Sequence, residues 1–312
     1  MMKQKTIGLD LGGTFLKAGI IDRSGRISYR SKYTVDASSA ERVFETIGQA
    51  VRECSIADAD VAAIGMGIPG IFDQADQKIM NSPNLHCLDG RHLIELMQSV
   101  CPLPFLFDND ANCAAFGEFK AGAGSHDGPG GTLSPRSFIL LTIGTGVGGG
   151  VILDGKLWHG ARGYAGEPGH IVIDRKGKPC HCGGIGCLET LVSASAVVEA
   201  YKARGGKDVT CEEVAHVASH GDPLAIGAFE DVGRNLGIGL SVIINLLNPE
   251  MIALGGGVMG AGDFLLRPAR AEASKRAFRE SYLSTRIVIA ALGNDAGMIG
   301  AGLMACEKLL GT

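Results

Sequence analysis

This sequence lacks a large surplus of either positive or negative residues, and it has few aromatic ones. One tryptophan, five tyrosines and eleven phenylalanines make up 5% of 312 residues, and the formal net charge is only −4. Without a basic surplus there is no electrostatic footprint for nucleic acid or for an anionic membrane. Long apolar runs are missing too. The longest, Leu236–Leu247, is broken by glycines, Ser241 and Asn245, and is too short to cross a bilayer. No apolar signal segment precedes the strand pattern that starts at Thr6, so a cytoplasmic protein is expected. Six of the nine cysteines (Cys54, Cys87, Cys101, Cys113, Cys211 and Cys306) are scattered, which excludes a disulfide framework. Glycine alone is in excess. The 47 glycines are about twice the usual share and sit in short motifs rather than repeats, which excludes collagen-like and low-complexity chains. The length suggests two domains with ample chain for a core.

The other three cysteines are concentrated. Cys180, Cys182 and Cys187 follow His170 in a glycine-rich stretch. Thiolate sulfur and imidazole nitrogen are the ligands a tetrahedral zinc prefers, and four of them make a closed structural site. An iron–sulfur cluster usually takes four cysteines. A metal bound here would also fix Glu167 and Glu189, the carboxylates that bracket the cluster, and leave one edge of His170 for a substrate oxygen.

The chain opens as strand–turn–strand. Thr6–Asp10 leads through Leu11-Gly12-Gly13-Thr14 into Lys17–Asp22, and Arg26–Tyr33 follows. The pattern recurs later, with Phe138–Ile143, a glycine turn at Gly144–Gly150 and Val151–Leu153. Two such hairpins suggest a duplicated fold. Between them lie a helix capped by Ser38 or Ser39, a strand at Val61–Met66, a short helix at Arg91–Val100, a strand at Pro104–Phe107 and a helix at Ala111–Lys120. The Gly-, Ser- and Pro-rich loop Gly122–Ser137 is the natural domain boundary. Beyond the cysteines, Thr210-Cys211-Glu212-Glu213 reads as a capping box and Asp222-Pro223 as the start of a long helix ending at Asn248-Pro249. A strand at Met251–Leu254, a helix at Asp263–Arg279, a strand at Arg286–Leu292 and a helix at Ala296–Leu310 complete an α/β alternation.

Gly144–Gly149 and Gly255–Gly260 both fit G-x-G-x-x-G, a weak dinucleotide signal on its own. The first runs into a strand, so it offers no helix N-terminus to a pyrophosphate. Successive glycines in turns do expose backbone N–H groups as anion-binding nests. Three such turns together with Asp10 point to phosphate. The phosphate set is Asp10, Gly12, Gly13 and Thr14, then Gly144, Thr145 and Gly146, then Gly255, Gly256 and Gly257. Lys17 and Arg162 are further candidates for steadying phosphates. Asn109-Asp110 ends a strand, where an α/β sheet presents its ligand groups. Asp110 is also placed to cap the following helix. An amide and a carboxylate side by side suit a sugar: Asn109 fixes one hydroxyl, and Asp110 accepts the proton of another.

Together these motifs resemble the ROK family of sugar kinases. The resemblance rests on Asp10-Leu11-Gly12-Gly13-Thr14, Asp108-Asn109-Asp110-Ala111-Asn112 and Gly144–Gly150. It rests also on Gly166-Glu167-Pro168-Gly169-His170, on the segment from Cys180 through Cys187 to Glu189, and on Leu254–Val258. It runs over essentially the whole chain, and the cysteine motif is its most specific part. It implies a two-lobed actin-like (ribonuclease-H-like) ATPase fold with duplicated glycine-hairpin halves. Residues 1–120 plus 296–312 would form the N-terminal lobe, and 121–295 a larger C-terminal lobe carrying the zinc site. It implies Asp110 as catalytic base, Asn109, Glu167, His170 and Glu189 as sugar ligands, and His170, Cys180, Cys182 and Cys187 as zinc ligands. The expected activity is ATP-dependent phosphorylation of a hexose 6-hydroxyl, with Mg2+ on the phosphates and glucose the foremost substrate. The alternatives are an N-acetylmannosamine or N-acetylglucosamine kinase, or a non-catalytic sugar-sensing relative. A homodimer is implied as well. Repressors of the family carry a helix-turn-helix, for which a first hairpin beginning by Thr6 leaves no room. Two segments depart from the family pattern: Asn84–Leu88 lacks a tryptophan often found there, and Gly122–Ser137 is longer than usual.

Overall fold

The computed structural model describes residues 5–73, 75–82, 84–125 and 134–311, so the middle of the boundary loop, 126–133, lies outside the described residues. The first half holds β1 (Lys5–Leu11), β2 (Phe15–Ile21), β3 (Ile27–Thr34), α1 (Ala40–Ala57), β4 (Val61–Ile68), β5 (Ile71–Asp73), β6 (Lys78–Asn81), α2 (Leu93–Val100), β7 (Phe105–Asn109) and α3 (Asp110–Ala121). The second half starts with β8 (Phe138–Ile143), β9 (Val147–Leu153) and β10 (Lys156–Leu157), then α4 (Glu189–Val192), α5 (Ala194–Ala203), α6 (Cys211–Ser219) and α7 (Pro223–Leu247). It ends with β11 (Met251–Gly255), α8 (Asp263–Arg276), α9 (Arg279–Ser284), β12 (Arg286–Ile289) and α10 (Ala296–Leu310).

Two five-stranded sheets share one plan. Their orders are β3-β2-β1-β4-β7 and β10-β9-β8-β11-β12. In each, three antiparallel strands continue into two parallel ones. This is the duplication expected from the two glycine-turn hairpins. The parallel strands read as near-continuous apolar runs because both of their faces are covered: β4 has only Ala62 outside the fully buried class. Helix α1 buries Val43, Phe44, Ile47, Ala50, Val51 and Cys54, the helical spacing that packs one stripe on the sheet. Of the two expected caps it is Ser39 that acts, its Oγ accepting from the Arg42 N–H at 3.3 Å.

The last helix returns to the first sheet. A Cβ at Gly65 of β4 would lie 1.8 Å from the Ala301 carbonyl oxygen of α10, so only glycine admits the helix backbone that close. Overpacking of this kind typically costs about 1–3 kcal/mol.

Four features differ from the sequence expectations. Gly148, Gly149 and Gly150 belong to β9 and not to a turn. They are there for packing: a Cβ at Gly150 would meet the Ala115 Cβ of α3 at 2.5 Å, and one at Gly149 would meet the Pro168 ring at 2.5 Å. The expected helix 263–279 stops at Arg276, and a second one starts at Arg279. The expected strand 286–292 stops at Ile289, because the chain must turn there to reach α10. The β5–β6 hairpin is new; its strands of three and four residues are too short to leave a readable period.

Candidate active site

Strand register brings the site together. Asp10 of β1 pairs with Gly67 of β4, and Gly67 with Asp108 of β7. In the second sheet Thr142 of β8 pairs with Gly255 of β11. The carboxyl ends of both parallel sets therefore open on one cavity of about 970 Å³, where α/β sheets place their ligands. Asp10, Lys17, Asn109 and Asp110 line it from the first half, and Gly144, Gly146 and Gly255–Gly257 from the second. Glu167, His170 and Glu189 line it as well. Of the expected phosphate set, Gly12, Gly13, Thr14 and Thr145 are not among the lining residues. Gly12 instead closes its own hairpin, donating to the Phe15 carbonyl at 2.8 Å.

The first turn of α3 is built differently from the sequence reading. Asn109, not Asp110, is the N-cap, its Oδ1 accepting from the Ala111 and Asn112 N–H groups at 2.9 and 3.1 Å. Its Nδ2 donates to the Gly70 carbonyl at 3.0 Å, leaving a second amide hydrogen for a ligand. Asp110 is thereby freed from capping. Its Oδ1 accepts from the Ala111 N–H at 2.8 Å. Desolvation first, and then the charge of Asp10, push its carboxyl up to about 7, with Glu167 adding to the rise and the Ala111 N–H opposing it. A carboxylate poised near neutrality is what a general base needs. Glu167 is likewise raised by desolvation, with His170 opposing and Glu189 reinforcing the rise. On the first-sheet side of the cavity, the Lys17 ammonium donates to Asp10 Oδ2 at 3.0 Å and to the Asn294 carbonyl at 2.7 Å. Arg162, the other candidate for phosphate, is spent elsewhere, on Asp73 at 2.9 Å.

The ligand atoms of His170, Cys180, Cys182 and Cys187 all lie within 4.8 Å of one another. His170 Nδ1 is 3.7 Å from Cys180 Sγ, and Cys182 Sγ is 3.7 Å from Cys187 Sγ. Tetrahedral zinc with Zn–S bonds of about 2.3 Å requires S···S edges of roughly 3.8 Å, so the donor set fits. Burial pushes the Cys187 thiol up to about 12 and raises Cys180; a cation would reverse this. Gly186 lets the loop close, with φ +73° and the Asp174 carbonyl oxygen 1.6 Å from where a Cβ would stand. Glu189 joins this loop to the glycine turn between β8 and β9. Its Oε2 accepts from the Val147 N–H at 2.9 Å, and Cys180 Sγ lies 3.6 Å from its Oε1.

Several polar groups around the site were not foreseen. Asp73, 1% exposed, accepts from Tyr164 Oη at 2.5 Å and from Arg162. Asp108, also 1% exposed, faces His159 Nε2 at 2.8 Å. Glu118, fully buried, accepts from the Ala123, Ala291 and Leu292 N–H groups at 2.9, 2.9 and 2.6 Å. His181 lines the cavity beside Cys182. His181 and Asp108 carried a signal, their places inside the cysteine motif and the Asp108–Asn112 motif; Asp73 and Glu118 carried none.

Residues 6–308 match the sequence profile of the ROK family. The chain belongs to the ROK family. This ROK protein is 35% identical to a glucokinase from Halalkalibacterium halodurans over 97% of its own length and 95% of that protein's. It superposes on a ROK hexokinase from Thermus thermophilus with a TM-score of 0.83 at 31% identity, covering 99% of this chain and 100% of the other. A ROK glucokinase from Streptomyces griseus in complex with glucose and AMPPNP gives a TM-score of 0.80 at 31% identity, covering 96% and 98%. The ROK protein thus has the actin-like ATPase fold. No helix among its described residues is long and apolar enough to cross a membrane.

Proposed function

We propose that this ROK protein is an ATP-dependent hexose kinase that phosphorylates the 6-hydroxyl of glucose. The observation that carries the reading is Asp110. It stands at the C-terminal edge of the first sheet, free of the helix cap and raised to about 7, in a cavity whose far wall is the glycine turns of the second sheet. The glucose and AMPPNP held by the Streptomyces relative support the choice of substrates.

In this mechanism Asn109, Glu167, His170 and Glu189 bind the sugar hydroxyls. The N–H groups of Gly146, Gly256 and Gly257 take the phosphates, and Lys17 offsets their charge. Asp110 takes the 6-hydroxyl proton as that oxygen bonds to the γ-phosphorus and ADP leaves with the electrons of the broken P–O bond. Mg2+ carried in with ATP would be met by Asp10 and would neutralise phosphate charge. Zinc held by His170, Cys180, Cys182 and Cys187 would supply rigidity. It would set the His170 ring and, through Glu189 and the Val147 N–H, join the sugar end to the phosphate turn. Within the same proposal the cleft separates a lobe of residues 1–120 plus 296–312 from one of 121–295. The two close on the substrates to exclude water. The protein works as a homodimer in the cytoplasm, where ATP is supplied.

The test is a coupled ADP-release assay over glucose, mannose, fructose, allose, N-acetylglucosamine and N-acetylmannosamine. Glucose should give the highest kcat/KM. A higher value for an N-acetylhexosamine would reassign the substrate, and no turnover with any sugar would make the protein a sensor.

A further inference from the structure

We propose that His159 is a positioning residue, which holds the corner presenting Asn109 and Asp110 by way of the buried carboxylate of Asp108. The inference rests on the sugar-kinase reading above. His159 follows β10, in the second half of the chain, and reaches across to the end of β7 in the first. Its Nε2 is 2.8 Å from Asp108 Oδ2, with the His side chain 16% exposed and the Asp side chain 2%.

The other oxygen of Asp108 is already engaged. Its Oδ1 accepts from the Asn109 N–H at 2.8 Å and from Asn112 Nδ2 at 3.0 Å. One carboxylate thus spans the last strand residue and the first turn of α3, with Asp110 between the two points it grips. Rotating that carboxylate would move both grips together. The contact from His159 to the second oxygen opposes such rotation, since a buried acceptor left alone seeks another partner. The same histidine also shapes the sugar-side loop: its carbonyl accepts from the Ala165 N–H at 3.2 Å, and the chain then runs on to Glu167. The backbone of His159 thus ties down the loop that leads to Glu167, and its side chain fastens the corner that presents the base. Its partner is 51 residues away.

Purely structural glue would lower the melting temperature and leave the kinetic constants alone. A positioning residue acts on the chemistry, since a misplacement of about 1 Å costs up to roughly 10²-fold in rate. The decisive set is His159→Leu, His159→Asn and His159→Gln. The Gln amide nitrogen reaches about as far as Nε2, whereas the Asn amide falls short. His159→Leu and His159→Asn should lower kcat with the hexose by roughly 10–100-fold and leave the KM for ATP within about threefold of wild type. His159→Gln should recover most of that loss. Amide exchange over 105–112, measured on the same proteins, should quicken in Leu and Asn and return in Gln.

Unchanged kinetics and unchanged exchange in His159→Asn would overturn the inference, and so would equal losses in Asn and Gln that merely track melting temperature. If wild type turns over no hexose, the kinase reading fails, and the exchange measurement alone decides the positioning. If His159→Leu does not fold, the Asn and Gln pair carries the test.

Discussion

Asp110→Asn separates what the carboxylate does for catalysis from what it costs the fold. The amide keeps the shape, and the α3 cap is untouched because Asn109 supplies it. It cannot accept the hydroxyl proton. General-base help is worth roughly 10²–10⁴-fold, so kcat should fall at least about 100-fold while sugar binding changes little. Stability should move the other way. The carboxyl rises from 3.8 to about 7 on folding, and each tenfold change in proton affinity is worth about 1.4 kcal/mol. The folded state binds this proton more tightly than the unfolded state. Wild-type stability on this account is therefore full below about 3.8 and declines until about pH 7. The ceiling is about 4 kcal/mol, and water in the open cleft reduces it, so a gain of roughly 1–3 kcal/mol at pH 8 is expected for the variant. Denaturant titration at pH 5 and pH 8 should show the variant's advantage widening with pH. A coupled assay should show the wild-type rate falling below about pH 7. A variant that kept more than a tenth of wild-type kcat at saturating ATP and sugar would refute the assignment of the base. A stability difference independent of pH would refute the account of its environment.

Freshly purified protein should carry about one zinc per chain, and Cys187→Ser should reduce this below half an equivalent by metal analysis. Glu118→Ala should cost about 1–3 kcal/mol in urea unfolding, since the buried Ala123 N–H loses its acceptor while the Ala291 and Leu292 N–H groups, nearer solvent, can turn to water; a cost under about 1 kcal/mol would mean that water replaces the carboxylate throughout. Asp73 is held down to about 2, mainly by the Tyr164 hydroxyl, so its ion stabilises the fold above the usual value of 3.8 and ceases to as pH falls toward about 2. Asp73→Asn should therefore be less stable than wild type at pH 7 and close to it near pH 2. Small-angle scattering should show compaction when glucose and a non-hydrolysable ATP analogue are added together, and no change on their addition would count against cleft closure.

Local chemistry made much of this protein readable from its sequence. The hairpin at Asp10–Thr14, the Thr210–Glu213 capping box, the start of α7 at Asp222-Pro223 and its end at Asn248 are all written in residues a few positions apart. So is the cysteine motif, whose four donors the fold gathers within 4.8 Å. The similarity of the two halves was legible for the same reason, because each announces itself with a strand, a glycine turn and a returning strand. The tertiary structure decided what depends on distant neighbours. Asp108 meets His159 across 51 residues and Asp73 meets Tyr164 across 91, and contacts at such separations leave no period to read. The same holds for the glycines. Gly146 and Gly256 face the cavity while Gly149 and Gly150 pack against Pro168 and Ala115, though in sequence all four look alike. The proton affinity of Asp110 is likewise collective, set by burial and by Asp10 on β1. A carboxylate's identity is local, but its desolvation exists only once the sheets and helices have closed around it.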